Sequence, residues 1–338
     1  MSLKRIALSA AIILMSLVSC ETLFPDRTAP TTAEVFDELW NAVDQKYVCF
    51  SNRDVDWDAV YTKYRGRIRD DASEKELFSV LSQMLEELKD RHISLSMDGE
   101  KWSGYYQEDP AINVVDVIVS QYLGKDKKES GGLHYNIIHN GMVGYVMYAS
   151  FEERISDEHV NEMLDFFREC QGLILDLRGN SGGSSENLMT LLKYLPIETE
   201  LYQTFIRHNN IRDDLVQQGV MLKPSTKDKS KMWQKPFIVL TDNNSFSASS
   251  IFAICIKGCE KMSVVGVKTA GGTCFPDIFE LSNGWLYRIP TIKIITRAGV
   301  DYEKGVVPDV EIHLDVNLAS KKSMDSIIDA ACEMIVSW

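Results

Sequence analysis

The sequence predicts an α/β fold preceded by a small helical domain, and three observations carry that expectation. Three amphipathic helical patterns crowd the first hundred residues. From Met142 onward, apolar strand-like runs alternate with helical spacing. Two of those strands end in tight polar turns that open directly into helices. The composition agrees: 338 residues, 45% hydrophobic and 25% charged, describe a folded globular chain rather than a disordered, fibrous or polytopic one. The length suits one large domain, or a small one attached to a larger.

The first element is a targeting segment rather than part of the fold. Lys4 and Arg5 form a positive start and Ile6 to Val18 an apolar run. That run is shorter than the roughly 20 residues a membrane-spanning helix needs. It ends in Leu17-Val18-Ser19-Cys20, which resembles a bacterial lipoprotein signal. Residues 1–19 are therefore expected to be removed and Cys20 lipidated, tethering an exported protein to a membrane. Residues 20–30 form a Pro/Thr linker.

A helical domain is expected over residues 31–92. Its first helix opens with Thr31-x-x-Glu34, a capping box, and sets Val35, Phe36, Leu39, Trp40, Val43 and Tyr47 at helical spacing. A second runs from about Trp57 to Ile68. The third opens at Ser73-x-x-Glu76 and carries Leu77, Phe78, Leu81, Met84, Leu85 and Leu88. Residues 93–140 are polar and read as a connecting segment.

A larger domain is expected over residues 141–338. Met142–Met147, Gly172–Leu177, Pro236–Thr241 and Ser263–Val267 read as strands. Helical spacing lies between Ile155 and Phe167, through Leu188–Leu195, over Ala248–Lys257 and from Ser323 to Trp338. Asn209 to Gln234 looks like a polar surface excursion, and Trp285–Thr296 an antiparallel one.

Acidic residues outnumber basic ones 49 to 36, for a net charge of −13, and no basic run occurs. Nucleic acid is excluded as a partner, since phosphate binding needs clustered positive charge. No phosphate loop, nucleotide fingerprint or metal-binding helix occurs, so no cofactor and no metal are expected. Beyond Cys20 stand Cys49, Cys170, Cys255, Cys259, Cys274 and Cys332. Cys255 and Cys259, four apart without a nearby histidine, read as helix packing rather than a metal site. Export permits disulfides, which a chain of this size does not need for a core.

The turns Asp176–Gly183 and Thr241–Ala248 carry the chemistry. A strand ending in a tight turn before a helix presents unpaired N–H groups and the positive end of the helix dipole. A serine there stands beside donors for a developing oxyanion, as acyl transfer requires. Spacing alone also allows Ser247 to be an N-cap in a serine-rich turn, and favours that reading.

Four segments in order carry a resemblance: Asp176-Leu-Arg-Gly-Asn-Ser-Gly-Gly183, Ser245-Phe-Ser-Ala-Ser-Ser250, Gly266-Val-Lys-Thr-Ala-Gly-Gly272 and Gly305-Val-Val-Pro-Asp309. Together they resemble the C-terminal processing peptidase family, serine peptidases that include the tricorn core and the tail-specific proteases. The resemblance implies a crotonase/ClpP-like ββα spiral for the catalytic domain. It covers about Met142 to His313, and the helical region before His92 is similar to that family's N-terminal domain. Residues 93–142 are too few for the PDZ domain many members insert, so none is expected.

One branch of that family pairs its serine with a lysine, whose place Gly272 takes here. The other, tricorn-like branch uses serine, histidine and glutamate, and this sequence resembles it. The resemblance makes Ser247 the nucleophile, His92 the general base and Glu303 the residue that orients it, with Asp301 as the alternative orienter. Ala248 N–H and Gly182 or Gly183 N–H are the expected oxyanion donors. Asp176 and Arg178 read as structural. Two positions depart from the pattern: Ser250 stands where a glutamate is usual, and Arg91 where the tricorn core has serine before its histidine. The expected protein is thus a lipid-anchored envelope serine endopeptidase acting on polypeptides, with a catalytically silent peptide- or glycan-binding protein as the alternative.

Overall fold

The computed structural model describes residues 29–97, 99–103, 113–197, 202–207, 211–212, 214–221 and 229–338. The expected signal segment and Cys20 lie outside the described residues. In chain order come helices α1 (Thr32–Lys46), α2 (Trp57–Arg65) and α3 (Glu74–Glu86), then β1 (Ser94–Met97), β2 (Glu100–Ser103) and α4 (Asp116–Leu123). The central elements are β3 (Lys128–Ser130), β4 (Leu133–Ile138), β5 (Val143–Met147), α5 (Asp157–Phe166), β6 (Gly172–Asp176) and α6 (Ser185–Leu192). Next are β7 (Tyr202–Arg207), β8 (Leu215–Met221), β9 (Phe237–Thr241), α7 (Ala248–Ile256) and β10 (Met262–Gly266). β11 (Phe275–Glu280), β12 (Leu286–Thr296), β13 (Val310–Glu311), α8 (Val316–Lys322) and α9 (Ser326–Ser337) complete the chain.

Both capping boxes form, Thr31 with Glu34 and Ser73 with Glu76, so α1 and α3 start where the sequence places them. The apolar stripe of α1 buries Val35, Phe36, Leu39 and Val43. Trp57 of α2 is fully buried and stacks on Trp40 at 6.2 Å. These helices do not close a core among themselves. Their cluster continues through Leu95 of β1 and Trp285, Tyr287 and Ile289 of and beside β12. The expected separate domain over residues 31–92 is therefore one face of a joint core with a β-sheet. That sheet runs β2-β1-β12-β7-β8, with β11 also paired to β12.

The second sheet runs β13-β10-β9-β6-β5-β4-β3, parallel from β13 to β5 and antiparallel beyond. Alternate residues of its strands face opposite ways. Leu173, Leu175, Val239 and Val264 pack with Val160, Met163, Leu188 and Phe252 of the helices on one face. Ile174, Ile238, Leu240 and Val265 pack with Ile327, Ile328, Ala331 and Ile335 of α9 on the other. Burial on both faces explains why residues 172–175 read as an unbroken apolar run.

Two readings change. The boundary expected at residue 141 falls inside a hairpin, because β4 pairs with β5 from His134↔Met147 to Ile138↔Val143. Part of the expected excursion at 209–234 is β8, which pairs with β7 and through it with β12. Polar residues suit an outer strand of a sheet that faces water on one side, so composition reads as loop there. Asp176 and Arg178 are structural as expected. The buried Arg178 guanidinium donates to Asp176, to Asp325 Oδ2 at 2.9 Å and to the Asn113 carbonyl at 2.8 Å.

Candidate active site

The two turns meet. Asp242 Oδ1, just after β9, accepts the N–H groups of Gly179 at 3.0 Å, Asn244 at 2.9 Å and Ser245 at 2.8 Å. Ser245 Oγ donates to the Leu177 carbonyl at 2.7 Å. Asn180 O accepts from Phe246 N at 3.1 Å and Ser249 Oγ at 2.9 Å. One carboxylate and two carbonyls thus lock the end of β6 to the start of α7.

Ser247 sits at the tip of that lock with φ 54° and ψ −117°, left-handed for a residue with a Cβ. Such a conformation costs on the order of 1–3 kcal/mol and persists only where its surroundings hold it. Here Ser247 N–H donates to Gly271 O at 2.8 Å, and its carbonyl accepts from Ile251. Ser247 is the N-cap of α7 by position, as spacing alone favoured, but its side chain makes no capping hydrogen bond. Its Oγ lies 3.0 Å from His92 Nε2 instead.

His92 follows α3 and is 3% exposed, with its ring 4.6 Å from that of Phe246. Burial pushes the imidazole down to about 4. The negative Asp90 opposes that shift, while Arg288, Arg53 and Arg91 add to it. The ring is therefore neutral at pH 7 and able to take a proton. In the tautomer in which Nε2 accepts from Ser247, Nδ1 carries the ring hydrogen; Nδ1 is buried and has no hydrogen-bond partner among the described residues.

Neither carboxylate expected at Nδ1 bonds there. Glu303 Oε2 accepts Thr273 N–H at 2.8 Å and Cys274 N–H at 3.0 Å, and Oε1 pairs with Arg53 Nη2 at 2.7 Å. Asp301 pairs with Lys293 Nζ at 2.8 Å and accepts from Asn52 Nδ2 at 2.8 Å. The nearer acid is Asp90, two residues before the histidine. Its Oδ1 accepts His92 N–H at 2.8 Å, and its Oδ2 accepts from Tyr47 Oη and Arg53 Nη2, each at 2.7 Å.

Arg53 thus joins two buried carboxylates. Burial and the charge of Asp90 push the Glu303 carboxyl up, with Arg53 opposing. Burial would also raise Asp90, but Arg53 and His92 outweigh it and hold that carboxyl below its ordinary value. The two carboxyls are thus pushed in opposite directions, and the one held down, Asp90, is the one beside the histidine. Sequence reading missed Asp90, Arg53 and Tyr47. Asp90 had a signal in its place two residues before His92. Arg53 had none, since it meets Glu303 across 250 residues.

The oxyanion donors separate. Gly182 N–H donates to Asn180 Oδ1 at 2.8 Å and is spent. Among the described residues the N–H groups of Gly183 and Ala248 have no acceptor, and Ala248 opens α7. Gly182 matters for space instead: at φ +94°, a Cβ would lie 2.7 Å from Phe246 O and from Ser247 Cβ. Gly272 leaves no room for a lysine, since its Cβ would lie 2.0 Å from the Phe246 ring. Arg91 stacks its guanidinium on that ring at 4.3 Å. Ser250 is buried and donates to Thr269 Oγ1 at 2.9 Å.

One cluster of metal-ligating atom types occurs among the described residues: the sulfurs of Cys49 and Cys274 and the Glu303 carboxylate, within 4.8 Å of one another. Its chemistry fits a metal poorly. Both Glu303 oxygens are engaged, and burial pushes both thiols up, Cys274 to about 12. Cys255 and Cys259 pack in and after α7 as expected, the latter donating to the Cys255 carbonyl.

Comparison with known proteins places these features in a family. Residues 142–312, just over half of the chain, match Peptidase family S41, and residues 29–86 match the Tricorn protease C1 domain. The carboxy-terminal processing protease CtpB of Bacillus subtilis is 26% identical over 172 residues, covering 50% of this chain but only 34% of its own length. The match thus spans about a third of that relative. A crystal structure of a candidate peptidase from Parabacteroides merdae has a TM-score of 0.81 and 31% identity, covering 91% of this chain and 97% of its own. A lipoprotein from Streptococcus agalactiae shares the fold at 14% identity, with a TM-score of 0.60 over 93% of this chain and 99% of its own.

Proposed function

Because this chain belongs to peptidase family S41, we propose that it is a serine endopeptidase cutting polypeptides through an acyl-enzyme on Ser247. The observation that carries the reading is the 3.0 Å contact between Ser247 Oγ and a neutral, buried His92 Nε2. In this mechanism His92 takes the hydroxyl proton as Oγ attacks the peptide carbonyl. The N–H groups of Ala248 and Gly183 hold the oxyanion. His92 then passes its proton to the leaving amine and activates water to release the acyl group. Asp90 stabilises the imidazolium by its charge. Glu303 acts through Arg53, as a positioning residue that holds Asp90 in place.

The leader that ends at Cys20 supports tethering of the protein in the cell envelope by acyl chains. Among the described residues no helix is long and apolar enough to cross a membrane. Exported polypeptides are the corresponding substrates.

The test is mass-spectrometric profiling of a denatured-protein and peptide mixture, incubated with the protein or with its Ser247→Ala form. Cuts made by the unaltered protein should fall by at least about 10³-fold in the variant. Equal cutting by both would remove Ser247 from the mechanism. No cutting by either, with both folded and both retaining peptide affinity, would favour the binding-protein alternative.

A further inference from the structure

Cys49 and Cys274 come from opposite ends of the chain and meet at the back of the active site. Cys49 lies after α1, at the turn that begins with Phe50, and Cys274 immediately precedes β11. Their sulfurs are 2.7 Å apart across 225 residues of sequence, and their exposures are 0% and 2%. We propose that Cys49 and Cys274 are a disulfide site, closed during folding by a disulfide oxidant, which staples the helical layer to the segment that cradles Glu303.

Three observations favour a disulfide over two free thiols or a metal. A sulfur–sulfur bond needs about 2.05 Å, so little movement separates the observed contact from closure. The pocket already holds Asp90 and Glu303, whose charges oppose thiolates, whereas a disulfide is neutral. A metal would require both thiolates and a carboxylate whose oxygens already accept from Arg53 and from the N–H groups of Thr273 and Cys274.

The chemistry balances with a small disulfide such as oxidised glutathione. One protein thiolate attacks a sulfur of the donor, breaking its S–S bond and releasing one glutathione thiolate. The second protein thiolate then attacks the protein-side sulfur of the mixed disulfide and releases the second. Two protein thiols give up two protons and two electrons, and one donor disulfide becomes two thiols. Since both sulfurs are buried once the chain has folded, the exchange belongs before the helical layer closes.

The position also gives the bond a consequence. Cys274 N–H bonds Glu303, while Tyr47 and Arg53, on either side of Cys49, bond Asp90. Cross-linking therefore joins the two chain segments that hold the charged cage behind His92. It also closes a loop of 225 residues, which restricts the unfolded chain.

The full-length protein is unfolded in reductant and denaturant, refolded in a mixture of reduced and oxidised glutathione, alkylated under denaturing conditions and mapped by mass spectrometry. The expected result is a cross-linked peptide pair holding Cys49 and Cys274, with the other cysteines alkylated. The thermal midpoint should also rise by roughly 5–15 °C over the reduced protein, a rise that Cys49→Ala abolishes. Folded protein in which both cysteines are alkylated, or in which either is bonded to another partner, overturns the proposal. So does stoichiometric zinc on the two thiols without a cross-link. Thiol mapping does not require the protein's own peptidase activity, so its result is independent of whether Ser247 proves to be the nucleophile.

Discussion

His92 is held neutral by burial and by three nearby guanidinium groups, against the pull of one carboxylate. The sign of its effect on activity follows. The base form is the active one, so activity is lost as pH falls through the histidine's own pKa, which lies near 4 rather than 6.5. A profile of kcat/KM against pH should therefore stay flat from neutrality to about pH 5, and an acid limb centred at 6.5 would refute the buried, neutral imidazole. Asp90 raises that pKa, so Asp90→Asn should move the limb lower still. It should also reduce kcat by about 10- to 100-fold, because the imidazolium loses its nearest counter-charge. A variant that lost activity only through misfolding would not shift the limb in that direction. Ser247 gives a second residue-scale test. Its positive φ is strained for any side chain with a Cβ, so Ser247→Gly should be more stable than Ser247→Ala by about 1 kcal/mol in denaturant unfolding. Equal stability would mean that the turn relaxes once the hydroxyl is gone.

At the scale of elements, the site is a junction of two strand-to-helix turns, and its rigidity depends on Asp242. One buried oxygen of that residue receives three N–H groups, two from its own turn and one from Gly179 of the other. Asp242→Ala leaves those donors without their acceptor, and a destabilisation of about 2–4 kcal/mol is expected from chemical unfolding. Activity should fall further than stability alone accounts for, since the register between Gly183 and Ala248 is what the carboxylate fixes. Full activity in a folded Asp242→Ala protein would show that the remaining contacts through Asn180 suffice. The individual turns were legible in the sequence because each is local: an apolar run, then glycines or serines, then helical spacing. Their contact was not, for Asp242 and Gly179 are 63 residues apart and nothing in their spacing marks a bond. The same division runs through the site. Ser247 and His92 stand on motifs, whereas Arg53 sits in an unremarkable loop and acquires its role only when two distant acids close around it. Glu303 was legible as an acid near the right glycine. Its partners were not, because its oxygens are claimed by the backbone of Thr273 and Cys274.

At the scale of the molecule, helical periodicity and both capping boxes were readable, but they suggested a self-contained helical domain. Periodicity reports that a face is buried and not what buries it. Here the apolar faces of α1 and α3 lie against Leu95, Leu281, Trp285, Tyr287 and Ile289 as well as against each other. The helical layer also delivers Tyr47, Arg53, Asp90 and His92 to a serine carried by the second sheet. Folding and assembly of the site should therefore be one event. The intact protein is expected to lose near-ultraviolet circular dichroism, tryptophan emission and peptide cleavage at the same denaturant concentration. Trp57→Ala, which empties a fully buried site between α1 and α2, should lower that common midpoint for all three signals by an amount corresponding to about 3–5 kcal/mol. Independent domains would behave otherwise: the variant would shift an early transition seen by tryptophan emission while the second sheet unfolded at its original midpoint. Separated transitions would restore the boundary near residue 92 and leave His92 as a group supplied by docking rather than by folding.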